Sequence, residues 1–249
     1  MGTCYIYTAD ISVLNIEEKF NEYYNLVPKY RQNKIEKLNR QEVKNQSLGA
    51  GALLHMALAE LGIDDSLLEY KEGDKGKPYI PGIDFKYSLS HSGTQVMCAL
   101  CDVEVGCDVE LVKAESSELE SRIKVAKRFF APEEYERIKE LFSEKKTASG
   151  FTIQVINEKL ADLFYRYWTL KESVVKTTGL GIFMDLSSFQ VNIPADGTMG
   201  YYELVNSLVN NSMTEKLRTY EIEGLDDYRY AVCIESSLAY DIEVKNIMF

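Results

Sequence analysis

WTLKESVVKTTGLG, residues 168 to 181, is the stretch whose reading decides the fold. Trp168, Glu172 and Lys176 stand four residues apart, so a helix here carries all three on one ridge. The helix runs into the letters LGI at Leu180 to Ile182, and the same letters close an apolar helix from Ser47 to Leu61, at Leu61 to Ile63. Strands follow in both places. QVMCAL, Gln95 to Leu100, and YAVCIE, Tyr230 to Glu235, each hold a Val and a Cys. This common order predicts an α+β fold of two similar helix-plus-sheet halves related by a pseudo-twofold axis, divided as residues 1–105 and 106–249 with the seam at the centre.

Working outward, the 249 residues, 45% of them hydrophobic, suffice for a full core. No apolar run approaches the ~18 residues of a membrane helix. The N-terminus MGTCYIYTAD has neither a signal-peptide pattern nor a myristoylation signal, which points to a cytoplasmic protein with no membrane partner. A net charge of −11 argues against a nucleic-acid coat and requires any anionic ligand to meet a local basic pocket. Lys29, Arg31, Lys34, Lys37, Arg40 and Lys44 concentrate cations before the first apolar helix. Cys4, Cys98, Cys101, Cys107 and Cys233 form no disulfide framework. Cys98 and Cys101 lie in a strand, where residues three apart face opposite sides, and read as buried small hydrophobes rather than a zinc pair.

A first strand is expected at Cys4 to Thr8, a helix at Ile16 to Tyr24, and short strands around Leu68 to Tyr70, Phe85 to Leu89 and Glu104 to Glu110. Pro132 marks a helix start behind Phe129 and Phe130. Ser143 to Asp162 reads as an exposed flexible insert. In GCDVE, Asp108 and Glu110 are two apart in a strand, so their carboxylates share one face at roughly 7 Å while Val109 points to the core. Two hard oxygen donors so placed suit Mg²⁺, or equally a solvent-facing edge. Gly106 permits close backbone approach to a ligand. The Glu172 and Lys176 pair is equally compatible with a site or a solvated face.

GCDVE at Gly106, WTLKESVVKTTGLG at Trp168, SLSHSG at Ser88 and GKPYI at Gly76 occur in the order and approximate spacing of the surfactin-type 4′-phosphopantetheinyl transferases, and the chain resembles that family from Lys34 to Glu235. The resemblance implies the pseudo-twofold fold, with coenzyme A bound in the seam. It implies transfer of the phosphopantetheine arm to a serine of an apo acyl or peptidyl carrier protein, with release of adenosine 3′,5′-bisphosphate. It also implies Mg²⁺ on Asp108, Glu110 and Glu172, with Glu172 as metal ligand, general base or both, and Asp108, Glu172 and Lys176 as the catalytic set. Lys34, Lys44, Lys77, Ser90, His91, Lys171 and Lys176 correspond to coenzyme-binding positions. Gln46 departs from the family's arginine before the Ser-Leu pair, with Lys44 or Arg40 as replacements. Arg122, Lys124, Lys127, Arg128 and Phe129 are the expected carrier patch, and the double-length chain is expected to be a monomer. Two other readings remain open: another Mg²⁺-dependent phosphotransferase or pyrophosphate-cleaving enzyme, and a non-catalytic carrier-binding module.

Overall fold

The computed structural model describes residues 2–205 and 216–249. In chain order it contains β1 (Gly2–Asp10), α1 (Glu17–Leu26), α2 (Lys29–Glu36), α3 (Gln41–Glu60), β2 (Lys71–Glu72), β3 (Pro78–Tyr79), β4 (Lys86–Ser92), β5 (Gln95–Cys101) and β6 (Val105–Leu111). There follow α4 (Ser116–Phe129), α5 (Pro132–Thr147), α6 (Phe151–Thr178), β7 (Gln190–Val191), β8 (Tyr201–Val205), β9 (Leu217–Ile222), β10 (Tyr228–Glu235) and β11 (Tyr240–Asn246). One sheet runs β11-β1-β5-β4 and the other β6-β10-β9-β8-β7, with β2 and β3 forming a separate hairpin.

The predicted repeat is visible in the strand order. β1-β5-β4 with α3 and β6-β10-β9 with α6 have the same connectivity, every pair within each triplet being antiparallel. Three cores divide the interior. One lies between α1, α2, α3 and the first sheet, a second between α4, α5, α6 and the second sheet, and a third between the sheets themselves. Cys98 belongs to the first core and Cys101 to the third, so they face opposite sides, and all five cysteines are buried and free. Among the described residues, no helix is long and apolar enough to cross a membrane.

Four elements depart from the sequence reading. The segment Ser143 to Asp162 is no loop: α5 runs to Thr147, α6 begins at Phe151, and Ile156, Leu160 and Ala161 are buried at helical spacing. The polar letters on either side of that spacing face outward and concealed it. Leu68 to Tyr70 is not a strand; the pairing begins at Lys71. The apolar helix starts at Gln41, six residues before Ser47, because its first turn is polar. Finally, β11 pairs in parallel with β1, so the last strand of the second half extends the first sheet and residues 106–249 do not form a self-contained unit.

Two devices place the site. Gly106 is where α6 crosses β6: a Cβ there would meet Ser173 O at 2.2 Å and Thr177 N at 2.3 Å, so the close approach it permits is to a helix rather than to a ligand. Between the halves, alternate serines of β4 accept backbone N–H groups of β6: Cys107 N to Ser88 Oγ at 3.0 Å, Val109 N to Ser90 Oγ at 3.3 Å, and Leu111 N to Ser92 Oγ at 3.1 Å. Side-chain hydroxyls thus do what carbonyls do within a sheet, and they satisfy donors that burial would otherwise leave unpaired.

Candidate active site

Strand alternation sends Asp108 and Glu110 to one face of β6 while Val109 is fully buried behind them. Helix α6 ends at Gly179, whose φ of 66° is the left-handed conformation that closes helices, and its last turns present Trp168, Glu172 and Lys176 to a cleft of about 890 Å³. β4 supplies Ser88 and His91 to the same cleft, while its Ser90 hydroxyl bonds Asp108 behind the lining. α2 contributes Arg31 and Lys34, and the loop before β3 contributes Lys75, Gly76 and Lys77. Phe129, Val175, Ile182, Phe183 and Met184 form its apolar side.

Asp108 is the hub. Its Oδ1 accepts from Lys176 Nζ at 2.7 Å and from Ser90 Oγ at 2.8 Å, and Lys176 Nζ also donates to Ser90 Oγ at 2.9 Å. Its Oδ2 is buried with no hydrogen-bond partner. Glu110 accepts from Ser92 Oγ at 2.9 Å. Burial first, then the Asp108 charge, holds both Glu110 and Glu172 above the usual carboxylate range; Lys176 offsets this only in part. Burial works against the Lys176 ammonium, yet Asp108 and Glu172 keep its proton affinity raised. Lys176 therefore answers three carboxylates, Asp108 through an ion pair and Glu110 and Glu172 through charge alone; Glu172 and Lys176 line the cleft, whereas Asp108 and Glu110 stand behind its lining on β6. Among the described residues, no group of three or more His, Cys, Asp or Glu side chains is already drawn together as a metal cage. Desolvation inside the cleft, then Lys176 and Arg31, push the His91 imidazole below the ordinary histidine range.

The other expected site residues separate. Lys34 lines the cleft, paired with Glu72 at 2.6 Å and lying 4.6 Å over the Tyr30 ring. Lys77 lines it too, but its ammonium turns into the seam, to Glu104 at 2.6 Å and to the carbonyls of Val105 and Thr177 at 3.1 and 2.9 Å. Lys44 is not in the cleft: it borders a separate depression with Leu14, Glu17 and Phe20. Helix α3 turns that position away from the seam. Arg40 pairs with Glu42 on an exposed surface and Gln46 donates to Gly93 O at 3.0 Å, so neither serves the cleft through a charge.

Lys171 requires the clearest correction. It is fully buried, paired with the equally buried Glu134 at 2.9 Å, and it donates to Leu186 O at 2.8 Å and Phe189 O at 2.6 Å. Glu134 also accepts from Ala131 N at 2.8 Å and Val191 N at 2.7 Å, capping the start of α5. A residue one position from Glu172 on a helix points about 100° away from it, here into the core rather than the site. Lys171 anchors the segment after α6 instead of meeting a ligand.

Arg31, Lys75, Ile182 and Phe183 were not singled out for the cleft by the sequence motifs. Arg31 had one local signal, Gly51 inside α3: a Cβ there would lie 2.7 Å from Arg31 Cγ, so the glycine makes room for the arginine stem.

Residues 104–233, which include β6 and α6 and thus Asp108, Glu110, Glu172 and Lys176, match the family model described as the 4′-phosphopantetheinyl transferase superfamily. A 4′-phosphopantetheinyl transferase of Bacillus subtilis is 29% identical over 205 residues, 82% of this chain and 80% of the relative. The 4′-phosphopantetheinyl transferase Sfp of Bacillus subtilis strain 168 is 27% identical over 219 residues, 87% of this chain and 86% of the relative. With over half its length matched to the family model, and with relatives aligned along most of both chains, this protein belongs to the 4′-phosphopantetheinyl transferase superfamily.

Proposed function

We propose that the chain transfers the phosphopantetheine arm of coenzyme A to the serine hydroxyl of an apo acyl or peptidyl carrier protein, and that it does so with Mg²⁺. The observation that carries this reading is the charge imbalance beside the cleft: Asp108, Glu110 and Glu172 share the Lys176 ammonium, and the buried Oδ2 of Asp108 lacks any donor. Hard oxygen donors with unspent negative charge, at the edge of a cleft of about 890 Å³, fit a divalent cation that keeps positions open for phosphate oxygens. Asp108, Glu110 and Glu172 would hold it. When bound, Mg²⁺ supplies charge stabilisation to the diphosphate oxygens.

The chain's own residues account for the rest of the reaction. Serine attack at the phosphorus nearer the pantetheine forms a new O–P bond and breaks the bond to the adenosine-bearing phosphate, which leaves as adenosine 3′,5′-bisphosphate. The serine proton passes to the Glu172 carboxylate, directly or through a water. Lys176, its proton affinity raised by Asp108, remains cationic beside the transferring group, and His91 faces the same cleft from β4. Ser90 keeps Lys176 and Asp108 in register through its hydroxyl. Trp168, stacked on Phe164 at 6.0 Å, stiffens the helical ridge beneath them.

Incubation with coenzyme A, Mg²⁺ and a panel of apo carriers, followed by intact-mass measurement, tests the reading. A phosphopantetheine-sized gain on the carrier, lost on chelation, is expected. Hydrolysis of coenzyme A with no gain on any carrier would point to a pyrophosphate-cleaving enzyme instead.

A further inference from the structure

The third core, between the sheets, holds thiols that the transfer reaction does not use. β1 and β5 run antiparallel, with Tyr5 opposite Leu100 and Ile6 opposite Ala99. One step further, the same register sets Cys4 opposite Cys101. Both side chains face the third core, as Ile6, Met97 and Ala99 do at alternate positions, and both are fully buried. Directly opposed residues of an antiparallel pair have Cα atoms about 4.5–5.5 Å apart, inside the ~4.4–6.8 Å that a disulfide spans. Among the described residues, which include every cysteine, no other two are opposed in this way. Cys98 faces the first core and Cys233 the second, and Cys107 stands on the other sheet with its thiol donating to Ser88 O at 3.2 Å.

The two sulfurs act on each other. Contact with Cys101 first, and burial second, push the Cys4 thiol well above the ordinary cysteine range. Cys101 is held below that range, by the contact with Cys4 first and against the opposition of burial. The Val103 N–H adds to the lowering, while Asp102, with an oxygen 3.6 Å from Cys101 Sγ, works against it. Cys101 is therefore the sulfur that becomes a thiolate first, and Cys4 the one that keeps its proton. A thiolate with a thiol beside it is the arrangement in which an oxidised sulfur is resolved to a disulfide. The cover over the pair is thin. Gly2 precedes Cys4 by two residues on the same face, and the Tyr240 ring of β11 lies so close that a Cβ on Gly2 would meet its Cζ at 2.6 Å. Tyr240 is half-buried, and its hydroxyl donates to Asp102 Oδ1 at 2.8 Å, so one side chain, tethered beside Cys101, closes this end of the core.

We propose that Cys4 and Cys101 are an oxidative modification site, at which hydrogen peroxide converts the pair to a disulfide that ties β1 to β5. The Cys101 thiolate attacks one peroxide oxygen, the O–O bond breaks, and hydroxide leaves and takes a proton from solvent to become water. Cys101 is left as a sulfenic acid. The Cys4 sulfur then attacks the Cys101 sulfur, the S–O bond breaks, and the Cys4 proton departs with the hydroxyl as a second water. Two electrons pass from the two thiols to peroxide, and the new bond joins residues 97 positions apart. The assignment does not depend on the transfer reaction.

Thiol counting tests it. The folded protein is exposed to hydrogen peroxide, quenched with catalase, denatured and alkylated, and then weighed intact and mapped by peptides. The unaltered protein should fall from its five free thiols to three, yield a peptide linked through Cys4 and Cys101, and return to five with dithiothreitol. The oxidised form should melt several degrees higher than the reduced one, because the bond closes a long loop in the unfolded chain. Cys4→Ala should stop at a sulfenic acid on Cys101 that dimedone traps, whereas Cys101→Ala should leave Cys4 unmodified. Tyr240→Ala, which lifts the cover, should speed the loss of thiols several-fold. Survival of all five thiols in both the unaltered protein and Tyr240→Ala would overturn the site. So would a link from Cys4 to any other cysteine, a dimedone adduct on Cys4 rather than Cys101, or a disulfide that forms only when the chain is first unfolded in urea.

Discussion

The buried pair between Lys171 and Glu134 yields a prediction whose size can be worked from its bonds. Lys171→Met keeps the volume of the side chain and removes the ammonium, orphaning the carbonyls of Leu186 and Phe189 and leaving Glu134 without its counter-charge. Glu134 would keep two donors, the N–H groups of Ala131 and Val191, so the carboxylate is not stripped bare. Removing one partner of a buried pair costs about 3–5 kcal/mol, roughly a fifth or more of the ~5–15 kcal/mol that holds a typical domain folded. Urea unfolding with linear extrapolation measures it. Glu134→Gln alone should also destabilise, because burial already works against the Lys171 ammonium and the Glu134 carboxylate is what opposes that shift. The double variant should lose less than the two single losses combined, since no uncompensated charge then stays buried, with a coupling of roughly 1–3 kcal/mol. A loss under about 1 kcal/mol in Lys171→Met, or strict additivity in the cycle, would refute the reasoning. A variant with ordinary stability and selectively weakened coenzyme binding would restore Lys171 to the ligand-binding set.

Three further outcomes follow from the geometry. Gly106→Ala should force α6 off β6, because the new methyl would lie 2.2 Å from a backbone oxygen; the cost is about 1–3 kcal/mol or more, read as a fall in Tm of at least ~2–4 °C, and an unchanged melting curve would contradict the packing. Asp108→Asn should leave the far-ultraviolet spectrum intact and lower carrier modification by on the order of 10²-fold, with near-normal turnover arguing against the acidic wall as the reacting centre. His91, held below its usual value, makes the ligand-free fold bind fewer protons than the unfolded chain, so its contribution to stability is present above about pH 6.5 and fades as pH falls through that value and on through the depressed one. His91→Gln should flatten this part of the stability profile measured between pH 7.5 and 5, on the order of the range where histidine titrates; a profile identical to that of the unaltered protein would exclude the residue.

How much was legible beforehand follows the range of the interactions. The face shared by Asp108 and Glu110 and the ridge shared by Glu172 and Lys176 depend only on local repeat distances, and the sequence shows both. The matched order of helix and strand in the two halves was legible for the same reason. Lys171 was not, because its partner Glu134 lies 37 positions away and only the packing of α5 on α6 turns the side chain inward. Arg31 sat in a run of six cations of which the motifs singled out others; its distinction comes from a glycine on the neighbouring helix. The segment before Asp162 was misread because polar and small letters outnumbered the buried Ile156 and Leu160. Nothing in YDIEVKN announces that β11 crosses to the other half, since its alternation suits any edge and its partner is the start of the chain.

The row of hydroxyls between β4 and β6 works as a keyed joint. A backbone ladder would accept any residue and could be offset by a step, but these contacts exist only where an oxygen stands on every second side chain, at Ser88, Ser90 and Ser92. Slipping one residue would bring Leu89 and His91 to the junction, and a leucine there cannot accept from a buried amide. Three letters therefore set the alignment of one half on the other. With it they set how far the Arg31 bank stands from Asp108 and Lys176, so the reach of the cleft is written in the spacing of these serines.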